Sequence, residues 1–321
     1  MNLPSLQEIE AATKVVYRHM LPTPQYRWPL LCEQVGTEVW LKHENHTPIG
    51  AFKIRGGLLY FEHLPPAERR KGVISATRGN HGQSIALCAR NYGVPATIVV
   101  PHGNSAEKNA AMRAFGARLI EHGRDFQEAK EHAERLAQEE GLHMVPSFDR
   151  RLVTGVAIGS LELFLAVPDV QTVYVPIGLG SGICGAAAVR NAVGSKAEIV
   201  GVVSAHAPAY ADSFRSGKCE ERESKTALAD GMAVRRPDAE ALEIICREVE
   251  RIVEVTDEEV GSAIATVFEC THNCAEGAGA APLAAIRKER HRLAGRKVAG
   301  VLSGGNIDRS LFAATLARHG S

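Results

Sequence analysis

The residues that could do chemistry fall in four places, and a lysine heads them. In Pro48-Ile-Gly-Ala-Phe-Lys53 a turn-forming Pro48 and Gly50 and an aromatic Phe52 lead directly into Lys53. A lysine amine becomes a nucleophile when burial or neighbouring cations lower its pKa, after which it condenses with an aldehyde. A helix starting near Lys53 would add a partial positive charge and unpaired N–H groups, favouring a neutral amine and a bound anion. Most lysines are solvated surface residues. Lys53 therefore gains meaning from the loops that accompany it.

Pro176-Ile-Gly-Leu-Gly-Ser-Gly182 follows an apolar run, so Gly178, Leu179, Gly180, Ser181 and Gly182 would join a strand to a helix. Their backbone N–H groups can curl round a phosphate there. The spacing is not the dinucleotide G-x-G-x-x-G, no lysine and Ser/Thr pair closes it as in an ATP-binding loop, and a plain glycine turn reads the same way. A second loop, Ser75-Ala-Thr-Arg-Gly-Asn-His-Gly-Gln83, gathers Thr77, Arg78, Gly79, Asn80 and His81 between a strand and a helix. Hydroxyl, guanidinium, amide and imidazole at this density suit a carboxylate. Taken singly, Asn80 or His81 reads equally as a helix cap or a satisfied loop residue. Last, Ser303 stands at the carboxyl end of the final strand, where ligands gather in open α/β sheets and a hydroxyl can bond a ring nitrogen.

The elements that must hold these loops follow an α/β rhythm. Strands are expected at Thr37–Leu41, Gly72–Ser75, Ala96–Val100, Ala117–Ile120 and His143–Val145, with helices near Lys53, Asn80–Asn91, Glu107–Phe115 and Phe126–Glu140. A second series has a helix from Arg151 to Val167, strands at Thr172–Pro176, Glu198–Val203, Arg251–Val255 and Lys297–Leu302, and helices to about Ala192, through Thr256–Cys270 and through Ala278–His291. Strands alternating with helices imply parallel sheets covered on both faces. Two three-layer units are expected: residues 1–50 with 150–321 as a large one, and 51–149 inserted as a small one, its inner boundary at 51 or nearer 70.

Composition narrows the partner. The 321 residues carry 37 Lys+Arg and 37 Asp+Glu, so no net field draws nucleic acid or anionic lipid, and a small molecule is the expected ligand. Seven scattered cysteines without a C-x-x-C pair, Glu8 and Glu10 near the start, and no long apolar run lead us to expect a cytoplasmic protein. Cys270, His272 and Cys274, two apart, are expected on a helix rather than around zinc.

Together the motifs resemble the fold-type II pyridoxal-phosphate enzymes of the tryptophan synthase β-like architecture, in the branch of threonine and serine dehydratases and serine racemases. The likeness runs from about Thr23 to Asp308. The family's K-x-E-x-x-x-P-x-G-S-F-K-x-R-G is matched by Lys42, Glu44, Pro48, Gly50, Phe52, Lys53, Arg55 and Gly56, with Ala51 for the serine. Its S-x-G-N-H-x-Q is met by Thr77, Gly79, Asn80, His81 and Gln83. The resemblance implies pyridoxal 5'-phosphate bound covalently to Lys53, its 3'-oxygen on Asn80, its phosphate in Gly178–Gly182, its ring nitrogen on Ser303, and the substrate carboxylate at Thr77–His81. It further implies a homo-oligomer, a dimer.

The implied reaction is α,β-elimination, in which Lys53 removes the α-proton and a 3-hydroxyamino acid such as L-threonine or L-serine yields a 2-oxo acid and ammonia. A neutral Ser303 cannot keep the ring nitrogen protonated, which favours a short-lived carbanion and elimination over transamination. Arg78 stands where racemases carry a proton-shuttling serine, and an arginine shuttles protons poorly. It could read a second acid group, stack on 3-phenylserine, or serve the common carboxylate, so 3-hydroxyaspartate and 3-phenylserine stay open as substrates. Val203 replaces a glutamate that binds a cation in relatives, so no metal site is expected. A catalytically silent relative acting as a ligand sensor is the alternative from another class.

Overall fold

The computed structural model describes residues 1–320. Its ten strands are β1 (Gln25–Arg27), β2 (Glu38–His43), β3 (Val73–Ala76), β4 (Ala96–Val100), β5 (Arg118–Glu121), β6 (His143–Met144), β7 (Thr172–Pro176), β8 (Glu198–Ser204), β9 (Arg251–Val255) and β10 (Lys297–Leu302). They form a six-stranded sheet in the order β1-β2-β10-β7-β8-β9 and a four-stranded sheet in the order β5-β4-β3-β6. Every pairing is parallel except that of the short edge strand β1 with β2. In β3 and β4 every residue is buried, which is what a parallel strand covered by helices on both faces requires.

Helices cover both sheets, and their ends follow local chemistry. Asp125 and Asp149 cap the helices Phe126–Glu139 and Arg150–Ala166 by accepting from first-turn N–H groups. Thr256 and Glu259 form a reciprocal capping box at the start of Asp257–Thr271.

The expected strands and the helices named with them are present, with ends shifted by a residue or two. Several helices lie outside the expected series: Pro29–Val35, Pro66–Arg70, Ala209–Ser216, Ala239–Glu248 and Arg309–His319. The first two are a turn or two long with proline in the first turn, and Pro29–Val35 stops at left-handed Gly36. Arg309–His319 buries only Thr315 and so shows no apolar stripe. The helix expected to reach His291 ends at Lys288 and passes into a 3-10 turn. The Cys270 cluster also needs correction. Its helix ends at Thr271, so only Cys270 lies on it, and His272 turns the chain away with φ 54°. No helix among the described residues is long and apolar enough to cross a membrane.

Two features fix the helix Lys53–Glu62. Helix Arg150–Ala166 crosses it so closely that a Cβ on Gly155 would collide with the Arg55 carbonyl oxygen. Beneath it runs a buried ion-pair network. Arg55, fully buried, donates through Nε to Glu44 Oε2 at 2.7 Å and through Nη1 to Glu162 Oε1 at 2.7 Å, while Lys42 Nζ reaches Glu162 Oε2 at 2.5 Å. Thr23 Oγ1 donates to Glu44 Oε1 at 2.6 Å. Lys42, Glu44 and Arg55 of the Lys53 motif thus hold the helix rather than face a ligand.

Candidate active site

One cavity lies at the carboxyl ends of strands from both sheets: the loops after β3, β7 and β10 all open into it. Every residue singled out above as a site candidate, from Phe52 to Ser303, lines it. A crevice outside the carboxyl ends of parallel strands is where α/β sheets bind ligands.

Lys53 opens its helix, and Nζ donates to Ser181 Oγ at 2.9 Å. Burial lowers its pKa to about 8, because the cavity wall replaces the water that would solvate an ammonium. Lys53 is also tied to the far end of the site. Phe52 N donates to the Ser303 carbonyl at 3.0 Å, and Ala51 bridges Gly304. The lysine and Ser303 are therefore held at a fixed separation by backbone.

The glycine loop is crowded as a cradle must be. A Cβ on Gly178 would lie 2.6 Å from the Gly231 carbonyl oxygen, and Gly180 has φ 99° with Ala241 2.7 Å from its Cβ position. Only glycine meets both demands. Helix Ser181–Ala192 starts here, so its first-turn N–H groups face the cavity without intrahelical partners. Ser303 is 3% exposed, and its hydroxyl has no hydrogen bond among the described residues.

On the opposite wall, Thr77 Oγ1 accepts from Gly79 N at 2.9 Å and Gly82 N at 3.1 Å, curling the chain into helix Asn80–Asn91. Asn80 is oriented from both ends: Nδ2 donates to Glu276 Oε1 at 2.5 Å and Oδ1 accepts from Asn306 Nδ2 at 2.8 Å. One amide hydrogen remains for a ligand. Burial, with the Lys53 charge behind it, holds His81 down to about 3, so its ring is neutral, and Nε2 has no partner among the described residues. Arg78 forms no ion pair among the described residues, and its buried Nε is likewise unpartnered.

The donor set fits pyridoxal phosphate: an amine with a lowered pKa for the aldehyde, a glycine-lined helix N-terminus for the phosphate, an oriented amide for the ring oxygen and an unpaired hydroxyl for the ring nitrogen. Sequence reasoning missed Lys108, Asp230 and Glu276, which line the same cavity. A trace was present in the glycines beside them. A Cβ on Gly277 would collide with the Leu228 carbonyl oxygen and one on Gly279 with that of Gly304, so Glu276 sits where backbones meet. Among the described residues no group of three or more His, Cys, Asp or Glu could hold a metal ion.

Comparison with known proteins agrees with the fold and the cofactor. The family model described as pyridoxal-phosphate dependent enzyme matches residues 16–304. An L-threonine ammonia-lyase of Thermotoga maritima is 37% identical over 96% of this chain and 77% of its own length. Among solved structures, a threonine deaminase from T.th. superposes with TM-score 0.88 at 30% identity, covering 95% of this chain and 99% of that one. Maize serine racemase superposes with TM-score 0.90 at 26% identity, covering 99% and 98%.

Proposed function

The chain belongs to the pyridoxal-phosphate dependent enzymes, and from that premise we propose that its substrate is L-threonine or L-serine, held by the residues described above. It is an ammonia-lyase that works by α,β-elimination, converting a 3-hydroxyamino acid to a 2-oxo acid and ammonia. The observation that carries the site assignment is the Lys53 amine, lowered to about 8 and hydrogen-bonded to Ser181 of the glycine loop.

Bound pyridoxal phosphate supplies an electron sink for the pair left at Cα. The chain's residues do the rest. Lys53 Nζ takes the α-proton, and Ser181 Oγ keeps the amine aimed while it is neutral. Gly178–Gly182 and the following helix N-terminus hold the phosphate. Asn80, fixed by Glu276 and Asn306, holds the 3'-oxygen, and Ser303 faces the ring nitrogen. Thr77–His81 hold the substrate carboxylate, with neutral His81 as a hydrogen-bonding wall rather than a base.

We also assign residues 51–149, which carry the four-stranded sheet, to a small domain set against a large one of 1–50 and 150–321. The unpaired cysteines support a cytoplasmic location, and the family resemblance supports a homodimer. The test of the substrate is a panel of L-threonine, L-serine, 3-phenylserine and 3-hydroxyaspartate, assayed for ammonia and 2-oxo acid. Turnover is expected to be highest with L-threonine or L-serine; a clear preference for either of the others would overturn that choice. Binding without turnover of any would favour a sensor.

A further inference from the structure

Apart from the hold of Glu276 on Asn80, three titratable side chains of the cavity wall have no part in the reaction just described. Lys108 comes from helix Ala106–Ala114, Asp230 from a 3-10 turn, and Glu276 from the residue before helix Gly277–Lys288. Lys108 Nζ lies 2.6 Å from Asp230 Oδ2 and 3.2 Å from Glu276 Oε2, with its side chain 6% exposed. Burial works against this ammonium, but Glu276 and Asp230 outweigh it and keep Lys108 protonated.

Glu276 is the more deeply buried of the two carboxylates. It is 2% exposed, and its burial, opposed by Lys108 and reinforced by the charge of Asp230, raises its carboxyl above the usual range. Oε1 accepts from Asn80, whereas Oε2 is buried with only the Lys108 ammonium beside it, 3.2 Å away. A carboxyl oxygen has room for a second partner, and the cavity that Glu276 lines is where one would sit.

We propose that Glu276 is a catalytic acid that protonates the departing β-hydroxyl, with Lys108 as counter-ion of the carboxylate left behind and Asp230 holding Lys108 in place. This rests on the elimination reading above. Hydroxide is a poor leaving group, so a proton must arrive as the Cβ–O bond breaks. The electron pair of that bond goes to oxygen, the proton of Glu276 Oε2 joins it, and water departs. The pair left at Cα when Lys53 takes its proton becomes the second bond between Cα and Cβ. Afterwards Lys53 returns one proton to solvent and Glu276 regains one from it, so the enzyme is unchanged over a turnover.

The experiment compares L-serine with β-chloro-L-alanine, whose chloride leaves without a proton. Glu276→Gln keeps an acceptor for Asn80 and removes the acid. In the holoenzyme it is expected to lower kcat for L-serine by about 10²–10⁴-fold while β-chloro-L-alanine turns over close to the wild-type rate. Lys108→Met should shift the two substrates in the same unequal way. The visible spectrum of the holoenzyme and its affinity for pyridoxal phosphate should be unchanged in both variants, which a merely structural role would not predict. Equal loss with both substrates, or a weakened cofactor affinity, would overturn the acid and assign Glu276 to the support of Asn80. Unchanged L-serine turnover would overturn it as well. A wild type inactive on both substrates would sink the elimination reading, and the acid with it.

Discussion

Behind the Lys53 helix, Arg55, Lys42, Glu44 and Glu162 meet in a dry network in which two cations face two carboxylates at 2.5–2.7 Å. In front of it, Arg78 Nε and His81 Nε2 are buried with no hydrogen-bond partner among the described residues. Both regions take polar groups out of water, which is costly unless they are paired. The first is satisfied by protein alone and can only hold the chain in place. The second leaves donors and acceptors open toward a cavity, so the energy of completing them goes to a ligand. Lys53 stands on the border between the two.

The contrast predicts opposite consequences for two arginines. Arg55→Ala would strand Glu44 and Glu162 without their main partner, at a cost of about 3–5 kcal/mol in urea denaturation of the purified protein. A loss below about 1 kcal/mol, the scale of an exposed pair, would show that the network is not the support described. Arg78→Ala should leave stability within about 0.5 kcal/mol, since no protein partner is lost. Its effect should appear in kcat/KM, lowered about ten- to a hundredfold by the missing charge-assisted bond. If Arg78 serves the common carboxylate, L-threonine, 3-phenylserine and 3-hydroxyaspartate lose equally. A loss confined to 3-hydroxyaspartate would assign it to a second acid group, and no loss would return it to solvent.

The smallest effect is one of pH. Because burial lowers Lys53 to about 8, the folded cofactor-free protein binds fewer protons there than the unfolded chain does between that pH and the ordinary lysine range. Its stability therefore rises with pH across that window and is level below about 8, where both states are protonated. The neutral amine is also the reactive form. Covalent capture of pyridoxal phosphate by the cofactor-free protein should level off above pH 8 and fall by roughly tenfold per pH unit below it. A profile still climbing well above about pH 9 would mean an ordinary solvated lysine.

What was legible in the sequence cuts across the two regions. Lys53, the glycine loop, Thr77–His81 and Ser303 lie in contiguous loops beside buried strands, so short-range pattern marks them. Lys108, Asp230 and Glu276 come from three distant segments and meet only at the wall of the folded cavity. No local periodicity carries that meeting. The same holds for Lys42, Glu44 and Arg55, whose motif is visible but whose partner Glu162 lies 107 residues beyond Arg55. Helix Arg309–His319 was missed because it buries one side chain, and the short Pro29–Val35 helix despite its proline start and glycine stop.

The most direct test of the central claim is to reduce the pyridoxal-phosphate-loaded protein with borohydride, digest it and locate the modified peptide by mass spectrometry, alongside a Lys53→Ala variant. The cofactor is expected on Lys53 alone, and the variant should release no ammonia from L-threonine or L-serine, since covalent anchor and base are lost together. Modification of another lysine, or ammonia release by the purified variant, would contradict the account.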